Sequence, residues 1–153
     1  MSSADSMNDR LSLLQVLTEQ EINYWYEVDH NWGRNAHDFY AADGTFMIGD
    51  KIIRGTDAIA GFYHWREARG ERVARHIVTN FRLGAVRADQ AAFECILCLH
   101  AADGRPVLHS RPPIMIADIR SKCKRGADGR WYYLSHALIP IFEGGEPATI
   151  PQN

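Results

Sequence analysis

The main spacing of the apolar residues of this chain changes close to Gly70, and that change constrains the fold more than any other feature. Before Gly70, apart from one short segment, they recur every three or four residues, as on one face of a helix. After Gly70 they follow the alternation of strands. Helices followed by a run of strands are typical of an α+β fold, because a parallel α/β sheet would alternate the two. We therefore predict an α+β domain.

The helical part divides into three predicted helices. The first begins at the N-cap Asp9 and ends at Gly33. The second covers Arg34–Ala42, and the third is capped by Thr56 and closes at Gly70.

A hairpin is predicted between the second and third helices, where "TFMIGDKIIRG" places two short strands around the pair Gly49 and Asp50. The four longer strand candidates are "RVARHIVTNFRLGAV", "QAAFECILCLHAA", "RPVLHSRPPIMIADIRSK" and "RWYYLSHALIPIF". Because Pro112 and Pro113 cannot donate to a strand ladder, we expect a bulge or bend inside the third candidate. A strongly curved sheet around the helices would leave a concavity for a ligand.

Length and charge set the organisation and the classes of partner. A single domain is expected over residues 9–142, between a disordered tail at 1–8 and a Gly/Pro-rich tail at 143–153. The 17 basic and 19 acidic side chains give a formal charge of −2, which argues against nucleic acid or an anionic membrane as the partner. No apolar stretch reaches the ~18–20 residues that cross a bilayer, and the first ten residues lack a signal-peptide pattern, so a cytoplasmic protein is expected.

Five stretches carry a family likeness: "YWYEVDHNW", "FYAADGTF", "IRGTDAIAGFY", "RHIVTNF" and "DGRWYYLSHALIPIF". Their order and spacing, from Leu11 to Phe142, resemble the SnoaL-like branch of the nuclear transport factor 2-like superfamily. The resemblance implies a cone-shaped, cystatin-like α+β barrel with a curved mixed or antiparallel sheet, three helices and an interior pocket. It also implies a dimer formed through the outer face of the sheet. The scaffold hosts dehydratases, isomerases, cyclases, epoxide hydrolases and non-catalytic subunits, so it does not fix one reaction.

Among these enzymes the chain is most similar to scytalone dehydratases, where a helix-borne Asp and two strand-borne histidines meet in the pocket. The resemblance assigns the acid to Asp29 and the first histidine to His76. For the second histidine, His100 fits best and His109 is the rival.

The residues themselves also favour a pair of Asp29 and His76. Strand alternation places His76 and Asn80 on one face. On the first helix Ile22, Tyr26 and Asp29 lie at i, i+4 and i+7, so the acid continues a mostly apolar stripe. An unpaired buried charge is very costly, and a histidine on the facing sheet is the simplest partner. The alternative stays open that His76 is a satisfied core histidine and Asp29 a surface residue near a helix end.

An Asp bound to one imidazole nitrogen would fix the tautomer and leave the other nitrogen to exchange a proton near neutral pH. A dehydratase needs such a group to remove a proton beside a carbonyl and to protonate the leaving hydroxyl, and an isomerase or cyclase needs the same parts. The resemblance gives Tyr26 and Tyr40 as phenols that hold a water. The third long strand carries the apolar "PPIMIADI" where scytalone dehydratases place Ser and Asn, so the pocket is expected to be more apolar. The residues predicted to bind substrate are Trp25, Phe62, Trp65, Asn80 and Met115.

No cofactor is expected, because the sequence has neither a Gly-rich phosphate loop nor a tight Cys/His cluster for a metal. Cys95 and Cys98 would point to opposite faces of one strand, so they cannot form a redox pair and are interpreted as buried thiols without a chemical role. The residues interpreted as surface or packing histidines are His30, His37, His64 and His136.

The leading hypothesis is a cofactor-independent lyase or isomerase that acts on a small hydrophobic cyclic hydroxy-carbonyl compound. A homodimer, or a higher oligomer, is expected. The alternative is a non-catalytic ligand-binding or assembly domain that resembles the small subunit of aromatic-ring-hydroxylating dioxygenases. In that case the same polar residues would hold the fold or an assembly interface.

Overall fold

The structure, a computed structural model, describes residues 3–144, with side chains from residue 6 onward. Its helices are α1 (Ser3–Asn31) and α2 (Thr56–Ala68), with a 3-10 turn at Ala36–Phe39 between them. Its strands are β1 (Tyr40–Ile48), β2 (Lys51–Arg54), β3 (Arg72–Val86), β4 (Gln90–Asp103), β5 (Met115–Arg125) and β6 (Trp131–Glu143). The end of the predicted C-terminal tail, 145–153, lies outside the described residues.

Helix α1 is longer than the sequence pattern predicts. It begins at Ser3 and not at Asp9, so residues 3–8, predicted as a disordered tail, are helical. Extending a helix that already exists gains one hydrogen bond for each residue fixed, which favours this extension. The helix ends where Trp32 and Gly33 adopt φ values of 62° and 68°, and a left-handed glycine is a common helix stop.

The predicted second helix, Arg34–Ala42, is wrong. Only Ala36–Phe39 form a 3-10 turn, and the chain enters β1 at Tyr40. Tyr40 pairs with Tyr133 of β6, so ladder formation with a distant strand overrides the local helical pattern.

The six strands form one open, mixed sheet in the order β2-β1-β6-β5-β4-β3. Strand β1 pairs with β6 in parallel, and every other neighbouring pair is antiparallel. The predicted α+β order and curved sheet are confirmed, but the sheet does not close into a barrel. Helix α1 packs against β3, and α2 packs against the 3-10 turn and β1.

Two sequence predictions about turns and bulges have opposite outcomes in the structure. Ile48 pairs with Lys51 across Gly49 and Asp50, which confirms the predicted hairpin. Strand β5 begins only at Met115, so the two prolines lie before the strand and the predicted bulge inside it is wrong. Proline lacks the N–H that a ladder requires, and the strand therefore starts after them.

The outer face of the sheet carries a continuous apolar row. Cross-strand pairing aligns Ile77, Cys98, Ile116 and Phe142, one from each of β3 to β6. Ile77 and Phe142 are 53% and 65% exposed. Cys95, by contrast, is buried on the inner side, so the two thiols of β4 point apart as predicted. In the part of the chain that the structure describes, no helix has the length and hydropathy to span a membrane.

Candidate active site

A cavity of about 170 Å³ lies between the inner face of the sheet and the two helices. Its walls come from the last turns of α1, from α2, and from every strand except β2. The apolar side chains that shape it include Trp25, Trp32, Phe62, Leu99, Met115 and Leu138. Three of the predicted substrate-binding residues, Trp25, Phe62 and Met115, are therefore in place around one cavity.

Asp29 and His76 meet at the wall of this cavity, as the sequence predicts. Asp29 Oδ1 lies 2.6 Å from His76 Nδ1, and Asp29 Oδ2 accepts the backbone N–H of His76 at 2.8 Å. The Asp29 side chain is 4% exposed and that of His76 is 10% exposed. An ionised carboxylate only accepts hydrogen bonds, so Nδ1 must carry the proton. This leaves Nε2 with its lone pair, and no group within residues 3–144 hydrogen-bonds to it.

Trp25 holds the face of the same imidazole. The two rings stack with centroids 4.1 Å apart and planes inclined by 11°. Trp25 and Asp29 lie four residues apart on α1, so one helix turn presents both to the strand. The imidazole is fixed on its face by the indole and on its edge by the carboxylate, while Nε2 stays open.

Strand alternation in β3 explains why His76 faces inward, but the alternation is interrupted before Asn80. Arg72, Ala74 and His76 all line the cavity. After Thr79 the β3–β4 register shifts, and Asn80 takes a left-handed φ of 59°. This bulge turns Asn80 to an exposed position outside the cavity, so the predicted substrate contact is not formed.

Trp65 does not reach the cavity either. It packs partly buried against the core, and the Arg69 guanidinium lies 5.1 Å from the centre of its ring. Phe62, three residues earlier on α2, lines the cavity, as was predicted for both side chains.

The prediction of a second histidine beside His76 is wrong for both candidates. His100 pairs with Arg75 of β3, and Arg75 points to the opposite face from His76. Its Nδ1 lies 3.3 Å from the carbonyl oxygen of Arg111, on the outer side of the sheet. His109 lies exposed in the connection between β4 and β5.

Neither predicted phenol lines the cavity. Tyr26 is 63% exposed and stacks on His30, and Ile22 on the same stripe is 46% exposed. The stripe that was interpreted as apolar and buried therefore faces solvent, and Asp29 lies at its border with the buried face. Tyr40 is 3% exposed, deep in the core and away from the cavity.

A buried chain of hydrogen bonds runs from the cavity wall to Glu21. The hydroxyls of Tyr63 and Tyr24 are 2.5 Å apart, and Tyr40 donates to Tyr24 at 3.0 Å. Tyr40 in turn lies 2.9 Å from His136 Nδ1, and His136 Nε2 lies 2.8 Å from Glu21 Oε1. Of these five side chains, Tyr63 lines the cavity. These hydrogen bonds therefore connect the cavity wall to a buried carboxylate in the core.

Glu21 is the anchor of this network. It is fully buried and also accepts hydrogen bonds from Trp25 Nε1, at 2.8 Å, and from the Tyr133 hydroxyl. Burial alone would raise the pKa of Glu21, but the charge and hydrogen bond of His136, with those of Tyr133 and Trp25, outweigh burial and lower it. Through Trp25 the same carboxylate supports the ring that stacks on His76.

The tyrosines of the network stay protonated. Burial, before any other cause, holds the pKa values of Tyr24, Tyr40, Tyr63 and Tyr133 well above the ordinary value for a phenol. Gly33 fixes the place of Tyr63, because a Cβ at that glycine would lie 2.5 Å from Tyr63 Cδ1. Tyr63 is therefore a fixed, neutral phenol at the cavity wall.

Sequence reasoning missed several residues of the site. They are Glu21, Tyr63, Arg66, Arg72 and His136. A charged residue at a core position of α1 was the available signal for Glu21, and alternation from His76 could have found Arg72. Within residues 3–144 no three His, Cys, Asp or Glu side chains converge as metal ligands.

Solved structures share this architecture at low sequence identity. A proposed scytalone dehydratase from Novosphingobium aromaticivorans matches with a TM-score of 0.79 and 14% identity, over 93% of each chain. The beta subunit of a proposed aromatic-ring-hydroxylating dioxygenase from that organism matches with a TM-score of 0.76 and 12% identity, over 92% of this chain and 95% of the other.

A nuclear transport factor 2-like protein with a cystatin-like fold, also from Novosphingobium aromaticivorans, matches with a TM-score of 0.66 and 19% identity over 92% of each chain. No protein-family model and no curated protein matches the sequence. At these identities the likeness concerns architecture alone. The open mixed sheet, the helices packed on its inner face and these matches together show that the chain has the nuclear transport factor 2-like fold.

Proposed function

We propose that the protein is a cofactor-independent lyase or isomerase of the dehydratase type. Asp29 and His76 are its acid/base pair, and a small hydrophobic cyclic hydroxy-carbonyl compound is its substrate. The observation that carries the proposal is the 2.6 Å contact between Asp29 Oδ1 and His76 Nδ1, which leaves Nε2 open at a mostly apolar cavity. A buried base with one fixed and one open nitrogen is suited to proton transfer.

In the dehydration, His76 Nε2 takes the proton from the carbon beside the carbonyl. The imidazolium that forms is stabilised by the Asp29 carboxylate, and it returns the proton to the leaving hydroxyl. The C–H and C–O bonds break, a C=C bond forms, water leaves, and His76 is neutral again. In an isomerisation, the same proton returns to a different carbon. A positioned base of this kind contributes about 10²–10⁴-fold to the rate.

Tyr63 is the phenol that binds the substrate oxygen, in place of Tyr26 and Tyr40, which were predicted as the phenols of the site. It is the only tyrosine that lines the cavity in the described part of the chain. Its raised pKa, caused first by burial, keeps the hydroxyl a hydrogen-bond donor. A donor at the carbonyl oxygen would stabilise the enolate that forms when the neighbouring carbon loses its proton.

The test is deuterium exchange at the carbon beside the carbonyl, followed by NMR in D₂O, with a panel of fused-ring hydroxy-ketones. The wild-type protein should accelerate exchange for at least one compound, and His76→Ala should abolish that acceleration. His100→Ala is the matched control, because His100 lies on the neighbouring strand but on the outer face. A His76→Ala protein that exchanges as fast as wild type would remove the assignment.

The second candidate is a non-catalytic domain of a larger assembly. The match to the dioxygenase beta subunit favours it. In this reading Asp29 and His76 tie α1 to β3 and nothing more. Co-purification with a larger iron-containing subunit, together with no exchange for any compound, would support it.

We also propose that two chains associate through the apolar row Ile77, Cys98, Ile116 and Phe142. Large exposed apolar side chains in one continuous row favour a partner with a matching apolar face, and a second copy supplies it in a symmetric dimer. A cytoplasmic location stays a prediction. The three cysteines are unpaired, as cysteines of proteins in a reducing compartment usually are.

A further inference from the structure

Arg72 lines the cavity and carries two N–H donors, Nε and Nη2, that no group of residues 3–144 accepts. It is the first residue of β3, and its side chain is 3% exposed. One terminal nitrogen, Nη1, donates to Asp103 Oδ1 at 3.1 Å. Nε and Nη2 are buried and have no hydrogen-bond partner within residues 3–144. Buried guanidinium donors are nearly always paired, because removing a charged group from water without a partner is costly.

The surroundings of Arg72 do not supply the missing acceptor. Asp103, its opposite residue on β4, is 75% exposed and contacts only one of the three guanidinium nitrogens. Glu71, the preceding residue, is paired with Arg105. These two acids therefore leave Nε and Nη2 of Arg72 without an acceptor.

Arg66 adds a second positive charge from α2. It lines the same cavity, and no carboxylate in the described part of the chain forms an ion pair with it. Burial, followed by the charges of Arg72 and Arg69, lowers the pKa of Arg66 to about 10. The positive charges of the two guanidinium groups repel each other, and an anion that binds both groups would stabilise them.

The spacing of β3 relates these arginines to the reaction centre. Arg72, Ala74 and His76 alternate onto the same wall of the cavity, with the small Ala74 side chain between the other two. Strand residues four apart have Cα atoms about 13 Å from each other. A ligand whose anionic end lies on Arg72 can thus extend its ring along Ala74 to His76 Nε2.

We propose that Arg72 and Arg66 bind a carboxylate of the substrate, so that the compound handled by this cavity is a hydrophobic cyclic acid. The carboxylate accepts from Nε and Nη2 of Arg72 as a bidentate pair, and Arg66 provides the second charge. The inference rests on the proposed function in that it takes this cavity as the substrate site, but the binding test does not need turnover.

The experiment compares 2-naphthoate with its neutral amide, 2-naphthamide, as probes for the intact protein, by calorimetry and by quenching of the cavity tryptophans. We expect 2-naphthoate to bind at least about tenfold more tightly than the amide, as a charge-assisted bidentate pair provides. Arg72→Met should remove this preference, so that 2-naphthoate and 2-naphthamide bind with similar affinity. Arg72→Lys should restore it only in part, because an ammonium lacks the planar fork.

Arg105→Met is the matched control. Arg105 lies near the same edge of the sheet, but its side chain is 81% exposed and it pairs with Glu71, so its removal should leave the preference intact. If Arg72→Met does not fold, two other measurements test the carboxylate site. The wild-type protein should bind 2-naphthoate more tightly than 2-naphthamide, and Arg66→Met should reduce that preference.

The two proposals fail separately. Equal binding of 2-naphthoate and 2-naphthamide by the wild-type protein, or an unchanged preference in Arg72→Met, would overturn the carboxylate site and leave the acid/base pair standing. His76→Ala should keep the preference for 2-naphthoate over 2-naphthamide, because the carboxylate lies on Arg72 at the other end of the ligand. If His76→Ala also keeps wild-type deuterium exchange, the acid/base role fails while the carboxylate site stands.

Discussion

Asp29 binds His76 twice, once at the ring nitrogen Nδ1 and once at the backbone N–H. One carboxylate therefore fixes the tautomer of the base and the position of the strand that carries it. It also joins the last turns of α1 to β3, which form one wall of the cavity. Substitutions at this acid should separate its chemical effect from its structural effect.

Asp29→Asn should fold but lose activity. The amide oxygen can still accept the His76 backbone N–H, while the amide N–H₂ would donate to Nδ1 and move the ring proton to Nε2. We expect the rate of the proposed proton exchange to fall by about 10²–10⁴-fold. Nitrogen-15 NMR of the imidazole reports the tautomer directly, and an unchanged Nδ1–H form in this variant would contradict the prediction.

Tyr63→Phe should lower activity more than stability. The ring still packs against Gly33, but the hydroxyl proposed to bind the substrate oxygen is lost. We expect exchange to slow by about 10²-fold and the free energy of unfolding to fall by about 1 kcal/mol. Tyr26→Phe is the control, because that hydroxyl lies on an exposed ring, and it should behave as wild type in both assays.

Glu21→Gln should destabilise the fold in a pH-dependent way. Removing the charge opposite His136 should cost about 3 kcal/mol at neutral pH, as the loss of one partner of a buried pair does. The pKa of Glu21 is lowered in the folded protein, so its stabilising effect is present above the ordinary carboxyl value of 4.5 and is lost as the pH falls through the lowered value. Urea unfolding between pH 7 and pH 3 should show the gap between wild type and variant closing on the acid side.

Glu19→Gln is the control for that series. Glu19 lies two residues away on the exposed side of α1. Its substitution should change the free energy of unfolding by less than about 0.5 kcal/mol at neutral pH. A gap for Glu21→Gln that stays constant down to pH 3 would contradict the assignment of an ionised, paired carboxylate.

Phe142→Asp should convert a dimer into a monomer. The substitution places a charge in the apolar row of the outer face, where Phe142 is 65% exposed. Light scattering after size exclusion should show the mass of two chains for wild type and of one chain for the variant. Val16→Asp serves as the control, because Val16 is a 48% exposed apolar residue on helix α1 and does not belong to this row. A monomeric wild type would end the dimer proposal.

The inward face of His76 was predictable because strand alternation is local and holds as far as Thr79. Asp29 was found through the family resemblance, because Ile22 and Tyr26, the other residues of its predicted buried stripe, are exposed. Asn80 was not predictable in the same way, since the bulge that turns it outward depends on how β3 pairs with β4.

The second histidine and the buried network could not be found from local patterns. The face of His100 depends on its register with Arg75, and a shift of one residue would reverse it. The partner of Glu21, His136, lies on the last strand, so their contact exists only after the whole chain has folded. The sequence showed a charged residue among core positions of α1, but not what pairs with it.

The parallel pairing of β1 with β6 makes the cavity depend on two strands that lie far apart in the sequence. Ile48 of β1 lies beside Leu138 of β6, and both line the cavity. Pairing such distant segments must first overcome loop-closure entropy, so it is slower than the formation of local contacts. The cavity wall is therefore incomplete in any partly folded form in which β6 has not paired with β1.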